Sequence, residues 1–284
     1  MKETDVLFNA DGSIYHLAVP FGVLPSTIIT VGDQDRVKEV SKHFDSVDHT
    51  FRNREFVTHI GRMGGRPLAV VSTGIGVDNI EIVFQELDLL TNSGPDRQVN
   101  SEIKSLDILR IGTTGGIHPA VQAGSFVLST SATGTDSLPT FYDISSAEKA
   151  SLFFADKDLD DKFFSSKLRP YHTHSNFASL QAGLANKVIV GHTITAPGFY
   201  GPQGRITRIA PSFSVLRHIP AANVHGTPIT NLEMETSGIY TMAHVLGHRC
   251  SSISLVVANR LHDRYLANAQ AAMDSLIETV LAAI

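Results

Sequence analysis

Short apolar runs alternate with segments of helical spacing along the first two-thirds of the chain. Four of the runs predict strands: Thr27–Val31, Asp107–Ile111, Ser125–Ser129 and Val188–Thr195. Two segments have the apolar spacing of helices: Asp35–Phe44 and Asn79–Leu90. Between them, Arg54–Ile60 and Pro67–Ser72 flank Gly64-Gly65, a glycine pair that favours a hairpin turn.

The last third continues the same pattern. A helix is predicted from the spacing of four apolar residues: Ile239, Met242, Ala243 and Leu246. A buried strand is predicted over Arg249–Val257, and a terminal helix from a long apolar stripe: Met273, Leu276, Ile277, Val280, Leu281 and Ile284. Strands that alternate with helices are typical of an α/β fold. The sequence therefore predicts one domain over residues 1–284, with a central mixed β-sheet flanked by helices.

The stretch Asp136–Ser179 differs from the rest. It carries charges, serines and aromatic residues without a clear strand pattern. We predict short helices and loop packed on the rim of the domain, a surface insertion of the kind that long connections usually form. A lid, an oligomer contact and an inert rim all remain open for it.

Composition and charge narrow the class of protein. The chain has 284 residues, 42% of them hydrophobic, and a formal net charge of −5 without a block of Lys and Arg, which argues against nucleic-acid binding. Cys250 is the single cysteine, so no intrachain disulfide can form and a reducing compartment is expected. No signal-like start or membrane-length apolar run is present. We therefore expect a cytoplasmic protein.

Two segments, Ile29–Arg36 and Leu109–Ile117, carry the first chemical signal. Each combines an apolar run, glycine and an arginine, which predicts a strand that ends in a glycine-rich turn. Backbone N–H groups in such turns bind anions, and arginine adds a planar fork of donors for phosphate. A surface salt bridge is the simpler explanation for either arginine alone. Together they predict a phosphate-bearing ligand between strand ends.

Other chemistries find little support. There is no metalloprotease or Cys/His metal spacing, no Gly-x-Ser-x-Gly elbow, and no Gly-Lys-Ser/Thr after Gly112. Cys250 lies in an apolar strand pattern, where a buried, inert thiol is expected.

Six blocks give the chain a family resemblance: Val31-Gly-Asp-Gln-Asp-Arg-Val37, Arg54-Glu-Phe56, Ser72-Thr-Gly-Ile-Gly76, Arg110-Ile-Gly-Thr-Thr-Gly115, Phe199-Tyr-Gly-Pro-Gln-Gly-Arg205 and Glu233-Met-Glu235. In this order they resemble the nucleoside phosphorylase family, and within it the uridine phosphorylases. The resemblance implies that family's α/β fold and its reaction, in which phosphate displaces a base from a nucleoside.

The resemblance also implies site residues. Phosphate would be bound by Gly32, Arg36, Arg110 and Thr113, with Arg54 reaching the phosphate of a neighbouring subunit. The base would lie against Thr114, Gly115, Phe199, Gln203 and Arg205, with Arg260 bracing Gln203 or Arg205 from behind. The ribose would be held by Met234 and Glu235, and by His16 of a neighbouring subunit. A loop anchor remains open for Phe199, a helix N-cap for Glu233 and Glu235, and a plain surface position for His16.

The catalytic contribution would come from Arg110, Gln203 and Arg205. A glutamine side chain offers a donor and an acceptor that match the edge of a pyrimidine. Purine-specific relatives place an aspartate where this chain has Val257-Ala-Asn-Arg260, which favours a pyrimidine leaving group. We therefore expect phosphorolysis of uridine to uracil and ribose 1-phosphate.

Two alternatives are kept: a purine nucleoside phosphorylase or nucleosidase, and a nucleoside-binding protein without catalysis. The resemblance implies no organic cofactor and no resident metal, with inorganic phosphate as co-substrate and a potassium ion near Glu55 as an option. It implies a homo-oligomer, dimer or hexamer, that shares active sites, and no nucleic-acid or membrane partner.

Overall fold

The computed structural model describes residues 1–145, 153–154, 168, 170–184, 187–212 and 222–284. Thirteen strands among them form one sheet: β1 Thr27–Val31, β2 Ser46–Asn53, β3 Phe56–Met63, β4 Arg66–Ser72, β5 Asp107–Gly116, β6 Phe126–Gly134, β7 Phe153–Phe154, β8 Tyr171–His174, β9 Ile189–Thr195, β10 Asn223–Val224, β11 Thr227–Glu233, β12 Arg249–Asn259 and β13 Arg264–Tyr265. The α-helices in these ranges are α1 Gln34–Ser41, α2 Val77–Asn92, α3 Ala178–Leu184, α4 Thr236–Leu246 and α5 Ala269–Leu281. A short 3₁₀ helix spans Leu138–Phe141.

The main path of the sheet runs β10-β11-β9-β6-β12-β5-β1-β4-β3-β2. Its centre is parallel, since β1 pairs in parallel with β4 and β5, and β5 pairs in parallel with β12. The carboxyl end of β5 also pairs with β11, where Leu232 lies opposite Gly115. Strands β5, β12, β6, β9 and β11 therefore close into a small barrel, while β1 to β4 extend from β5 as an open sheet.

Helices cover both faces of the open sheet, and the strand alternation follows from this. On β1, Ile28 packs in the cluster formed with α2 and α4, whereas Ile29 packs with α1 and α5. On β5, Ile108 belongs to the first cluster and Leu109 to the second. Because side chains alternate along a strand, Arg110 points toward the α2 and α4 side. This places a cation under the N-terminal ends of those two helices.

The structure confirms most of the predicted elements. The Gly64-Gly65 turn joins β3 and β4 with φ angles of +56° and +76°, a conformation that glycine adopts without strain. The predicted helix Asp35–Phe44 is shorter and ends at Ser41. The terminal stripe is buried on α5, except that Ile284 lies beyond the helix and is partly buried.

Two predictions are wrong. The glycine-rich segment after Ile111 is not a turn, because β5 continues through it to Gly116. The stretch Asp136–Ser179 does contain a strand, since β8 pairs with β6 inside the sheet. The sequence hid β8 because it is four residues long and reads Tyr-His-Thr-His, without apolar alternation. Residues 146–152, 155–167 and 169 lie outside the described residues, so the rim prediction is untested there.

Tyr171 at the start of β8 explains a glycine in β6. A Cβ atom on Gly134 would lie 2.2 Å from the Tyr171 ring, so only glycine leaves room for this side chain. Tyr171 is partly buried against the sheet, so it packs the start of β8 onto the core. None of the helices in the described ranges combines the length and apolar character needed to cross a bilayer.

We expect Tyr240→Phe to destabilise the protein although the ring is kept. Tyr240 is fully buried, and its hydroxyl donates to the Ser129 carbonyl and accepts from the Ser252 N–H group at 3.1 Å. Loss of both contacts leaves buried polar groups unpaired, which costs about 1–3 kcal/mol in the free energy of unfolding. Urea denaturation measures it, with Tyr265→Phe, at a residue 77% exposed, as the control. Equal losses in the two variants would contradict this role.

Candidate active site

A cavity of about 1250 Å³ opens at the carboxyl ends of β1, β5 and β12. In open α/β sheets this edge is where ligands bind, since loops and helix N-termini converge there. The cavity brings together most of the residues expected from the sequence: Gly32, Arg36, Arg110, Thr113, Thr114, Gly115, Phe199, Gln203, Arg205, Met234, Glu235 and Arg260. Segments far apart in the chain therefore form one site.

Arg36 lies in the first turn of α1, directly after β1. The helix begins here because the Asp33 side chain accepts from the Asp35 N–H group at 2.9 Å. Burial lowers the pKa of Arg36; Asp33 opposes this shift and the nearby Arg110 adds to it. No acceptor among the described residues takes a hydrogen bond from its guanidinium. Arg36 thus presents an unpaired positive charge to the cavity.

Arg110 is buried and held from three directions. Its Nη2 donates to Glu235 Oε2 at 2.5 Å and lies 3.2 Å from Glu233 Oε2, while Nη1 donates to Ser254 Oγ at 3.0 Å. Burial alone would lower the pKa of Arg110, but the two carboxylates outweigh it and raise the pKa. The guanidinium is therefore charged and fixed in orientation.

Gly112 is what makes room for this guanidinium. It lies two residues after Arg110 on the same face of β5, and a Cβ atom there would be 1.9 Å from Arg110 Nη1. Gly115 does the same less strictly for Arg260, whose Cδ would be 3.3 Å from an added Cβ. The glycines expected to shape an anion-binding turn thus act within a strand, by leaving space for two arginines.

Glu235 faces the cavity from the start of α4. Its Oε1 accepts from the Gly76 N–H group at 2.8 Å, at the N-terminus of α2. Burial raises the pKa of Glu235; Arg110 lowers it and Glu233 raises it. Two helix N-termini and a guanidinium therefore meet at one carboxylate, which can accept hydrogen bonds from a ligand.

Glu233 has a different environment. Its carboxylate accepts from the N–H groups of Glu235 and Thr236, each at 3.0 Å, and from Thr195 Oγ1 at 2.7 Å. The helix-capping role left open for the pair thus belongs to Glu233, which satisfies the first N–H groups of α4. Together with Arg110, the two glutamates leave one net negative charge.

The far end of the cavity is formed by the loop that contains Gln203. Arg205 Nε donates to the Phe199 carbonyl at 2.9 Å, and its guanidinium carbon lies 3.9 Å from the centre of the Phe199 ring. Gln203 is buried, and its backbone carbonyl accepts from Arg260 Nη1 at 2.6 Å, the bracing contact expected for Arg260. Burial, with Arg205 nearby, lowers the pKa of Arg260 to about 10.

Two polar residues in this region are engaged within the protein. The Thr114 hydroxyl donates to the Leu232 carbonyl at 2.9 Å and accepts from Asn231, so only its position beside the cavity relates to a ligand. Asn259 donates to two backbone carbonyls and accepts from the N–H groups of Leu261 and His262 at 2.9 Å. Its amide is fully used in fixing the end of β12.

His16 and Arg54 do not line this cavity. His16 Nδ1 lies 2.7 Å from Glu86, which also accepts from its backbone N–H group. Arg54 is exposed in the β2–β3 turn at φ +52°, 5.8 Å from the Tyr15 ring. Asn53, the neighbour of Arg54, donates to the Tyr15 and His16 carbonyls, so Arg54 and His16 lie on the same edge of the molecule.

Sequence reasoning missed the residues that hold the site in place: Gly76, Thr195 and Ser254. Ser254 had no distinct signal in the sequence, because β12 also contains Ser251 and Ser252. Among the described residues, no group of three or more His, Cys, Asp or Glu side chains is arranged to hold a metal. Glu55 accepts from Asn79 at 3.4 Å, and a cation near it stays a prediction.

Comparison with known proteins gives consistent results. A sequence model of the phosphorylase superfamily matches residues 26–284. The chain is 27% identical to a uridine phosphorylase of Thermococcus kodakarensis over 90% of this chain and 80% of the relative, and 25% identical to that of Escherichia coli over 87% and 86%. A Trypanosoma brucei nucleoside phosphorylase, reported to show uridine phosphorylase activity, superposes with a TM-score of 0.85 at 26% identity, covering 98% and 99% of the two chains.

We expect Arg110→Met to destabilise the protein by about 3–5 kcal/mol near pH 8, because two buried carboxylates lose their counter-charge. Without the arginine, the folded-state pKa of Glu235 rises further above its unfolded value. The folded variant then binds a proton that the unfolded chain releases, so the deficit grows as the pH rises and shrinks toward about pH 5.5.

Urea denaturation of both proteins at the two pH values measures this dependence. Arg208→Met, at an exposed arginine, is the matched control. A deficit that does not change with pH would show that the carboxylates do not depend on Arg110.

Proposed function

We propose, since the chain belongs to the phosphorylase superfamily, that it catalyses the reversible phosphorolysis of uridine to uracil and ribose 1-phosphate. One observation carries the proposal. Arg36 and Arg110 lie at one end of a cavity whose other end holds Gln203 and Arg205. With arginines at both ends and Glu235 between them, the cavity can hold a phosphate, a ribose and a base side by side.

Phosphate would occupy the end formed by Gly32, Arg36, Arg110 and Thr113. A dianion requires more than one cationic donor, and guanidinium groups bind its oxygens in pairs. The charge of Arg110 is already compensated by two glutamates, which also fix the orientation of its guanidinium. Arg36 therefore supplies the uncompensated positive charge that the phosphate requires. The Thr113 hydroxyl adds a donor from the same strand as Arg110.

The ribose would lie over Met234 and Glu235, next to the phosphate. Carboxylates accept two hydroxyl hydrogen bonds well, and Glu235 retains an accepting role because Arg110 and the Gly76 N–H group oppose the effect of burial on its pKa. Gln203 would read the base, since its amide donor and acceptor match the N3–H and a carbonyl of uracil. Arg205 would donate to a ring carbonyl.

The reaction breaks the C1′–N1 bond and forms a C1′–O bond to phosphate, and the electron pair of the broken bond leaves on the uracil ring. The sugar carbon becomes cationic in the transition state, as in glycoside cleavage, so the adjacent phosphate stabilises it. Arg205 stabilises the negative charge on the departing base. No covalent intermediate with the protein and no organic cofactor are needed.

Asn259 supports a pyrimidine over a purine. A departing purine is helped by an acid that protonates N7. Asn259 is an amide, which is too weak an acid to protonate a leaving base, and its hydrogen bonds are made with the backbone of its own chain. The pyrimidine can leave without an acid because its carbonyl oxygens take up the charge.

Shared sites in a homo-oligomer are part of the proposal. Arg54 and His16 lie on one edge, outside the lining of the cavity of their own chain, and we expect them to reach the cavity of a second copy. The number of subunits, the cation near Glu55 and the cytoplasmic location stay predictions.

The decisive experiment follows uridine absorbance in the ultraviolet with and without phosphate. We expect loss of the signal only when phosphate is present, with uracil and ribose 1-phosphate as products. Phosphate-independent loss would indicate a nucleosidase, and phosphate-dependent loss of inosine instead of uridine would indicate a purine phosphorylase. No loss of either nucleoside would indicate a protein that binds without catalysis.

Arg205→Ala should lower kcat/KM for uridine by about 10²–10³, the usual effect of removing one donor to a developing negative charge. The KM for phosphate should stay close to that of the unchanged protein, since Arg36 and Arg110 lie at the other end of the cavity. Steady-state kinetics with each substrate varied in turn measure both values. Arg208→Ala, exposed in the same loop, is the control, and equal losses for the two substrates would contradict a role at the base.

A further inference from the structure

Thr195 is linked to Arg110 through Glu233, which contacts both residues. Thr195 is fully buried at the end of β9, in register with Glu233 at the end of the neighbouring strand β11. Its hydroxyl lies 2.7 Å from Glu233 Oε1 and 3.0 Å from the Ser237 backbone nitrogen. It does not line the cavity, so it cannot contact the substrates directly.

The direction of each hydrogen bond follows from the chemistry of the groups. The Ser237 N–H group can only donate, so the Thr195 oxygen accepts from it. An ionised carboxylate can only accept, so the Thr195 hydroxyl donates its hydrogen bond to Glu233. The Thr195 hydroxyl therefore links the first turn of α4 to Glu233, and these two hydrogen bonds fix the rotamer of its side chain.

Ser237 is anchored on its other side as well. Tyr171 Oη lies 3.0 Å from both carboxylate oxygens of Asp136 and 3.0 Å from Ser237 Oγ. An ionised Asp136 accepts a hydrogen bond from the Tyr171 hydroxyl, and the Tyr171 oxygen can then accept from Ser237 Oγ. The start of β8 thus holds the same turn of α4 that Thr195 contacts.

Glu233 transmits this restraint to the site. Its Oε2 contacts Arg110 at 3.2 Å and accepts from the Glu235 N–H group at 3.0 Å. A rotation of the Glu233 carboxylate would therefore displace both the guanidinium and the backbone of the glutamate that faces the sugar. Thr195 supplies the only side-chain hydroxyl that bonds to this carboxylate within the described residues.

We infer that Thr195 is a positioning residue for phosphate binding: its hydroxyl fixes Glu233, which in turn fixes the Arg110 guanidinium toward the anion. The inference rests on the proposed function for the identity of that anion. Thr195 takes no part in bond making or breaking, and its effect is carried by the angle at which Arg110 meets the phosphate.

The test compares three variants by calorimetric titration with inorganic phosphate and by steady-state kinetics. Thr195→Val keeps the shape and removes the hydroxyl, and Thr195→Ser keeps the hydroxyl. Thr133→Val removes another buried threonine hydroxyl, on the adjacent strand β6, whose hydrogen-bond partners among the described residues are His172 and His192, each at 2.7 Å. It is the matched control for the structural cost of the change.

We expect Thr195→Val to weaken phosphate binding and to raise the KM for phosphate by about tenfold, as for loss of a hydrogen bond to a charged group. The KM for uridine should change less than that for phosphate, and Thr195→Ser should restore binding to within about twofold. Thr133→Val should lower the melting temperature and leave phosphate binding unchanged.

Unchanged phosphate affinity in a folded Thr195→Val variant would overturn the inference, and so would equal weakening in Thr133→Val. If Thr195→Val fails to fold, Thr195→Ser and Thr195→Cys decide: serine retains the strong donor and cysteine has only a weak one, so equal affinities in these two would overturn it. An unchanged protein that binds phosphate but leaves uridine intact would refute the proposed function alone. An unchanged protein that binds no phosphate would refute both.

Discussion

The burial of one guanidinium between two carboxylates is the constraint on which the site depends. Arg110 lines the cavity, yet its side chain is almost fully buried, and among the described residues Glu233, Glu235 and Ser254 hold its guanidinium. Each partner is connected to a different secondary-structure element. Glu233 caps the start of α4, Glu235 accepts from Gly76 at the start of α2, and Ser254 lies in the middle of β12. The arrangement fixes Arg110, and leaves Arg36 as the cation that is free to meet a ligand.

Much of the fold could be predicted because its cause is local. The alternation along β1, the Gly64-Gly65 turn and the stripe on α5 each follow from period and turn chemistry. The course of β5 could not be predicted, because a glycine is favoured both in a turn and beside a bulky neighbour. At Gly112 the bulky neighbour is the Arg110 side chain, which lies two residues earlier on the same face of the strand. Strand β8 was hidden for a similar reason, since its polar residues find partners in β6.

The site divides in the same way. Arg36, Arg110, Gln203 and Arg205 could be assigned to one cavity because their sequence blocks resemble those of the nucleoside phosphorylase family. Thr195 and Ser254 could not, because a threonine or serine within a strand is common and its partner becomes visible only in three dimensions. The difference between Glu233, which caps α4, and Glu235, which accepts from the Gly76 N–H group, also needs coordinates, because the two residues are identical and only two positions apart.

The closed barrel has a consequence for how such a protein can change. Strand β5 belongs to the barrel and to the open sheet at once, so Arg110 is held where the two parts are joined. The loop with Phe199, Gln203 and Arg205 lies outside this junction, and Arg260, just after β12, donates to its Gln203 carbonyl. If this loop binds the base, as proposed above, a different base can be accommodated by changes in the loop alone, whereas the surroundings of Arg110 tolerate little variation. A lineage descended from this architecture would diversify at one end of its cavity and stay constant at the other.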